Sequence, residues 1–188
     1  MKRIPMTIPN ILSLFRFALV PVCTVLIYFD ILIPAFVVYI VACATDLLDG
    51  WIARKYNMGS EAGILLDPLA DKLISVFAVI AFTVTGVLPW YIVVTLIVKE
   101  LMMIGGGIYL YFKDIIAPSN MFGKIAAFAL NTAIAFCFLA RFVSPWHVWF
   151  ISFTLVLMLA ALAQYAYLNM YKKLKEKALS QLQDAEQA

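Results

Sequence analysis

The chain has 188 residues, of which 65% are hydrophobic and 13% charged, with a formal net charge of +3 and a mean hydropathy of +0.97. A soluble domain runs nearer about 45–50% apolar and 25% charged, so the balance excludes a disordered protein, a nucleic-acid-binding module and an ordinary soluble enzyme. At ~20 residues per spanning helix, the length holds six spans and no separate soluble domain.

Apolar runs in chain order predict helices at 11–29, 32–56, 65–88, 90–112, 122–142 and 146–171, followed by a polar tail at 172–188. The breaks carry turn-forming or helix-breaking residues: Asp30, Pro34, Gly86 with Pro89, Pro118 with Ser119 and Asn120, and Ser144 with Pro145. The second helix continues into a polar segment, 49–64. No internal repeat or low-complexity stretch is present, and no cleavable signal is evident. Cys23, Cys43 and Cys137 lack metal-ligand or redox spacing and read as small buried hydrophobes.

Lysine and arginine placement orients the bundle. With six spans, one side carries Lys2, Arg3, Arg54, Lys55, Lys72, Lys113, Lys124, Lys172, Lys173, Lys175 and Lys177, while the other carries Arg141 beside His147. The positive-inside bias puts both termini and the 49–64 segment in the cytoplasm. Trp90, Trp146 and Trp149 fall at the opposite helix ends, as interfacial aromatics do. The expectation is a single all-α integral membrane domain over residues 1–188, set in the cell's inner membrane.

Five of the eleven acidic residues lie within 46–71: Asp46, Asp49, Glu61, Asp67 and Asp71. Carboxylates near a bilayer are costly to desolvate, so a cluster demands compensation. Asp46 and Asp49 are three apart and Asp67 and Asp71 four apart, spacings that put each pair on one helical face. Two such helices packed antiparallel bring four carboxylates together. Hard oxygen donors of that kind suit Mg²⁺ or Mn²⁺. Gly50, Gly63 and the small Ala53 permit close approach of a neighbour or substrate. Arg54 supplies a guanidinium for a carboxylate or phosphate, and Pro68 suits the first turn of a helix beginning near 65.

Residues 46–71 read D-x2-D-G-x2-A-R-x8-G-x3-D-x3-D, with eight fixed residues over 26 positions. This resembles the signature of the CDP-alcohol phosphatidyltransferases at every fixed position and spacer. I-P-N-I-L-S-L-F-R at 8–16, L-D-P-L-A-D-K-L at 66–73 and Gly123-Lys124 extend the resemblance over nearly the whole chain. It implies a six-helix membrane enzyme, usually a homodimer, open to the cytoplasmic leaflet. By the same resemblance Asp46, Asp49, Asp67 and Asp71 hold two divalent ions, Asp71 is also the general base, and Gly50, Ala53, Arg54 and Gly63 line the CDP site. The donor is then CDP-diacylglycerol and the leaving group CMP.

The acceptor that the resemblance implies is a glycerol-type alcohol. Glycerol-3-phosphate, the substrate of a phosphatidylglycerophosphate synthase, leads narrowly; it calls for basic groups, with Arg16, Lys124 and Lys99 as candidates. The alternative is phosphatidylglycerol, the acceptor of a cardiolipin synthase, which the stretch Gly106–Leu110 resembles. Members using glycerol-3-phosphate commonly carry Arg-Glu in the fourth helix with a further Arg after it, whereas this chain has Lys99-Glu100 and no second Arg. Lys99 and Glu100 equally read as an ion pair within or between helices. Gly105, Gly106 and Gly107 thin the same helix, for close packing or for a second lipid. A small cation or proton transporter is the competing class, but it leaves the fixed glycines and Arg54 without a role. With one histidine, His147, on the far side, histidine catalysis and histidine metal sites do not enter.

Overall fold

A computed structural model describes residues 8–56, 61–112 and 121–168; of residues 8–10, 47, 49–54, 56, 61–69, 71, 110 and 111 it describes the backbone only. Among the described residues there are seven α-helices and no strand: α1 (Ile8–Tyr28), α2 (Leu32–Tyr56), α3 (Glu61–Val84), α4 (Trp90–Phe112), α5 (Met121–Phe138), the single turn α6 (Ala140–Val143) and α7 (Trp146–Tyr165).

The exterior is greasy and part of the interior is polar. Phe142, Ile33 and Phe112 stand almost fully exposed, while Ser13, Arg16, Lys99, His147 and Thr154 are buried. A water-soluble chain does the reverse. Four helices carry stretches long and apolar enough to cross a membrane: Ile11–Tyr28, Trp90–Tyr109, Met121–Phe138 and Trp146–Leu168. In α2 and α3 the apolar stretches among the described side chains are Leu32–Asp46 and Lys72–Val84. The chain is an all-helical integral membrane protein. Trp90, Trp146 and Trp149 are exposed at the starts of α4 and α7, where an indole meets headgroups.

Local chemistry sets the helix ends. Asp30 (φ 61°) and Gly86 (φ 78°) adopt the left-handed conformation just past α1 and α3. In both places the next amide reaches five residues back, Ile31 N to Leu26 O and Val87 N to Phe82 O, each 2.9 Å, which satisfies last-turn carbonyls. Aspartate is among the residues that tolerate this conformation. Exposed Arg141 donates to Asp30 across the same end of the bundle.

Several helix boundaries differ from the hydropathy reading, among them the start of α1 at Ile8 and the end of α3 at Val84. α3 begins at Glu61 rather than near 65, because a charged first turn suits the positive end of a helix as well as an apolar one does. Pro68 therefore sits in the helix interior, not in its first turn. The backbone stays helical through it with the loss of one hydrogen bond, a loss membrane helices tolerate. The fifth apolar run breaks at Leu139 (φ −98°, ψ 12°) into α5 and α6, with no Gly or Pro to mark the break.

α1 packs along both α2 and α3, α5 along α7, and α4 touches α3 and α7. The core is a stack of faces at helical spacing: Val20, Cys23 and Ile27 on α1; Ala35, Tyr39 and Ala42 on α2; Ile74, Ala78 and Phe82 on α3. Phe138 of α5 is its hub. Its ring lies 5.5 Å from Phe36, 5.4 Å from Tyr39 and 4.9 Å from Phe82, separations at which aromatic pairs attract beyond simple burial. His147 is buried rather than interfacial. Its Nε2 donates to Val87 O (3.2 Å), tying the start of α7 to the α3–α4 turn.

Candidate functional site

The register of α2 against α3 can be read from what both touch on α5. Phe36 and Phe82 pack against the same Phe138 ring, and at 1.5 Å per residue they lie ~30 Å from Tyr56 and ~31 Å from Glu61, the two facing ends. Lower down, Tyr39 Oη and Ser75 Oγ both donate to Asn131 Oδ1, at 3.1 and 2.9 Å, from ~25 and ~21 Å along their helices. Depths that agree to within about 4 Å at two levels mean that α2 and α3 run antiparallel and in step to within one helical turn.

Carried down the helices, that register sets the aspartate positions level. Asp46 and Asp49 stand ~15 and ~10 Å from the end of α2, and Asp71 and Asp67 ~15 and ~9 Å from the start of α3. All four backbones are helical. Asp46 is the one whose side chain is described. Its Oδ1 accepts from Arg16 Nη1 at 2.8 Å, with the arginine side chain wholly buried and the carboxylate about one-third exposed. The side chains of Asp49, Gly50, Ala53, Arg54, Gly63, Asp67 and Asp71 lie outside the described residues, and among the described residues no cluster of metal-ligating side chains forms. The backbones of α2 and α3 thus carry four aspartates at similar heights, and carboxylates are the donor type that suits a hard divalent cation.

Next to this region lies a cavity of about 690 Å³ between α3, α4, α5 and α7. Val76, Leu96, Leu130 and Met158 give it apolar walls, and Lys72, Lys99, Glu100 and Lys124 charge it. Lys72 follows Asp71 directly in sequence, so the cavity adjoins the aspartate level. Glu100 is the centre of the charged group. Its Oε2 lies 2.8 Å from Lys72 Nζ of α3 and its Oε1 2.6 Å from Lys99 Nζ of its own helix. The Lys99–Glu100 pair anticipated from sequence is thus a three-membered bridge that also joins two helices. Lys124 is exposed at the cavity. Arg16 is not among the lining residues; it belongs with Asp46.

Sequence reading passed over Lys72 as the second cationic partner of Glu100, and over Asn131, which lines the cavity and anchors α2 and α3. An asparagine inside an apolar helix was the available signal, since polar groups are rare at that depth. Gly105 and Gly107 face open space, and a Cβ at either would meet nothing within 4 Å of this chain. Among the described residues they do not serve packing between helices of one chain.

Residues 6–166 match the family profile described as CDP-alcohol phosphatidyltransferase. A probable phosphatidylglycerophosphate synthase of Mycobacterium tuberculosis is 32% identical over 145 residues, which is 74% of this chain and 68% of that protein. The CMP-forming cardiolipin synthase of Homo sapiens is 36% identical over 118 residues, 62% of this chain and 39% of that protein. A fusion of a CMP-forming cardiolipin synthase with a mitochondrial hydrolase in Schizosaccharomyces pombe is 34% identical over 126 residues, 67% of this chain but 21% of the fusion. The chain therefore spans a minor part of two of these relatives and about two thirds of the third.

Proposed function

Since the chain belongs to the CDP-alcohol phosphatidyltransferases, we propose that it transfers the phosphatidyl group of CDP-diacylglycerol to a hydroxyl of a glycerol-type alcohol and releases CMP. The observation that carries this reading is the level register of Asp46 and Asp49 on α2 with Asp71 and Asp67 on α3, at the positions the family signature fixes.

Asp46, Asp49, Asp67 and Asp71 are the residues that would hold two Mg²⁺ or Mn²⁺ ions, which when bound offset the charge of the pyrophosphate and of the departing CMP. Gly50, Ala53 and Gly63 let the nucleotide approach the backbone, and Arg54 grips its phosphate. Asp71 takes the proton of the acceptor hydroxyl as that oxygen bonds to the phosphorus carrying the diacylglycerol. The bond from this phosphorus to the CMP oxygen breaks in the same displacement. Buried Arg16, paired to Asp46, acts as a positioning group that holds one carboxylate in a single orientation. In this reading α2 and α3 complete six spans, with their charged ends at the inner-leaflet headgroups. Both termini and the site then face the cytoplasm, and the protein works in the inner membrane. The open Gly105 and Gly107 face is available to a second copy in a homodimer.

Two acceptors fit. Glycerol-3-phosphate is the choice that sequence places narrowly first. The geometry favours the other, phosphatidylglycerol: the cavity beside the aspartate level is mostly apolar, and two of its three lysines are already paired with Glu100. The relatives include proteins named for each reaction. The test is purified protein with CDP-diacylglycerol and Mn²⁺, offered a panel of alcohols, with CMP and lipid products read by mass spectrometry. Metal-dependent CMP release with one glycerol-type acceptor is the expected result. No CMP release with any acceptor would overturn the reading and leave a transporter as the better account.

A further inference from the structure

We propose that Glu100 is a specificity-determining residue, which holds down the positive charge of the cavity so that it takes a phospholipid phosphodiester as acceptor in preference to a free phosphomonoester. The inference rests on the transferase reading above and assigns the acceptor class at that same site.

The charge layout motivates it. Three lysines and one glutamate line the cavity. Each Glu100 oxygen is engaged by a different ammonium, Oε1 by Lys99 and Oε2 by Lys72. Lys124 is the one of the three that Glu100 does not hold. A phosphomonoester carries close to two negative charges at neutral pH, because its second pKa is about 6; a phosphodiester carries one. Removing Glu100 exposes one more positive charge, and the doubly charged acceptor gains more from it. For charges a few ångströms apart at a protein surface, that differential is worth about tenfold or more in affinity.

The walls point the same way. A cavity of about 690 Å³ lies within the size range of sites that bury most of a drug-sized ligand. Glycerol-3-phosphate has no apolar group to set against Val76, Leu96 or Met158, whereas the tails of a phospholipid match them at no desolvation cost. A bare lysine cluster in such a wall would also be expensive, and Glu100 relieves that cost while lowering the net charge.

The experiment measures kcat/KM for glycerol-3-phosphate and for phosphatidylglycerol in the full-length protein, and the binding of each acceptor without donor by native mass spectrometry. The variants are Glu100→Gln, the charge-restoring pair Lys99→Gln with Glu100→Gln, and Lys124→Gln. The preference for glycerol-3-phosphate over phosphatidylglycerol is expected to rise about tenfold or more in Glu100→Gln, to return toward wild type in the double variant, and to fall in Lys124→Gln. An unchanged preference in Glu100→Gln overturns the proposal, as does a raised preference that persists in the double variant. A change confined to the KM for CDP-diacylglycerol also overturns it, by assigning the cavity to the donor's tails. If Glu100→Gln does not fold, the exposed Lys124→Gln variant decides, and an unchanged preference there is the refuting result. Wild-type protein that releases no CMP refutes the transferase reading alone, because the binding preference still scores Glu100.

Discussion

Arg16 Nη1 donates to Asp46 Oδ1 over 2.8 Å with no part of the arginine side chain exposed. A guanidinium at that depth is tolerable because a carboxylate meets it, and the pair fastens α1 to α2 at the height of the proposed site.

Replacing Arg16 by Met leaves the partly buried carboxylate without this partner and is expected to cost about 2–3 kcal/mol. Arg16→Lys keeps the charge but loses the planar fork, with a smaller loss. Reversible unfolding in detergent measures both. Activity is expected to fall in Arg16→Lys more than its stability does, because the orientation of Asp46 is lost first.

Asp71→Asn removes the proposed base while keeping size and helix. Transfer is expected to drop by about 10²–10⁴-fold, with thermal stability close to wild type. CMP release and a melting curve on the same preparation test this. Retained turnover would refute the assignment of Asp71.

Chelation offers a third test. EDTA is expected to abolish CMP release, and added Mg²⁺ or Mn²⁺ to restore it, as charge neutralisation of a pyrophosphate by paired ions requires. Asp46→Asn and Asp67→Asn should each raise the metal concentration needed for half-maximal rate. A rate indifferent to EDTA would remove the metal from the reading.

Asn131 accepts two hydroxyl hydrogen bonds in the bundle interior. Asn131→Leu removes the side-chain acceptor that both hydroxyls use, and about 1–3 kcal/mol of stability should go with it. Ser75→Ala removes one donor and should cost less. If the register of α2 on α3 is set here, Asn131→Leu also lowers transfer activity while leaving the aspartates untouched.

Much of the fold was legible because bilayer thickness fixes the length of an apolar run and because Gly86, Asp30 and Pro89 punctuate the chain. The aspartate pattern was legible because helical spacing is periodic. What was not legible depends on contacts distant in sequence. Hydropathy cannot register that Glu61 begins α3 and leaves Pro68 inside it, nor that Leu139 breaks a continuous apolar run. Glu100 was visible as a neighbour of Lys99, but its second partner, Lys72, lies 28 positions away, and only packing of α3 on α4 brings them together. Arg16 reads as an acceptor-phosphate candidate, and its pairing with Asp46, 30 positions away, is a contact that only the packing of α1 on α2 brings about.

The attachment of α4 has a further consequence. Apolar contacts between helices are non-directional, so a greasy helix can slide or swivel among its neighbours at little cost. α4 is pinned twice, by Tyr91 Oη with Ser152 Oγ of α7 (3.3 Å) and by Glu100 with Lys72 of α3 (2.8 Å). These fastenings sit ~14 Å apart along its axis and grip different partners. Two anchorages on separate supports fix tilt and swivel together, as one hinge pin would not, and the wall of the cavity is thereby kept in place.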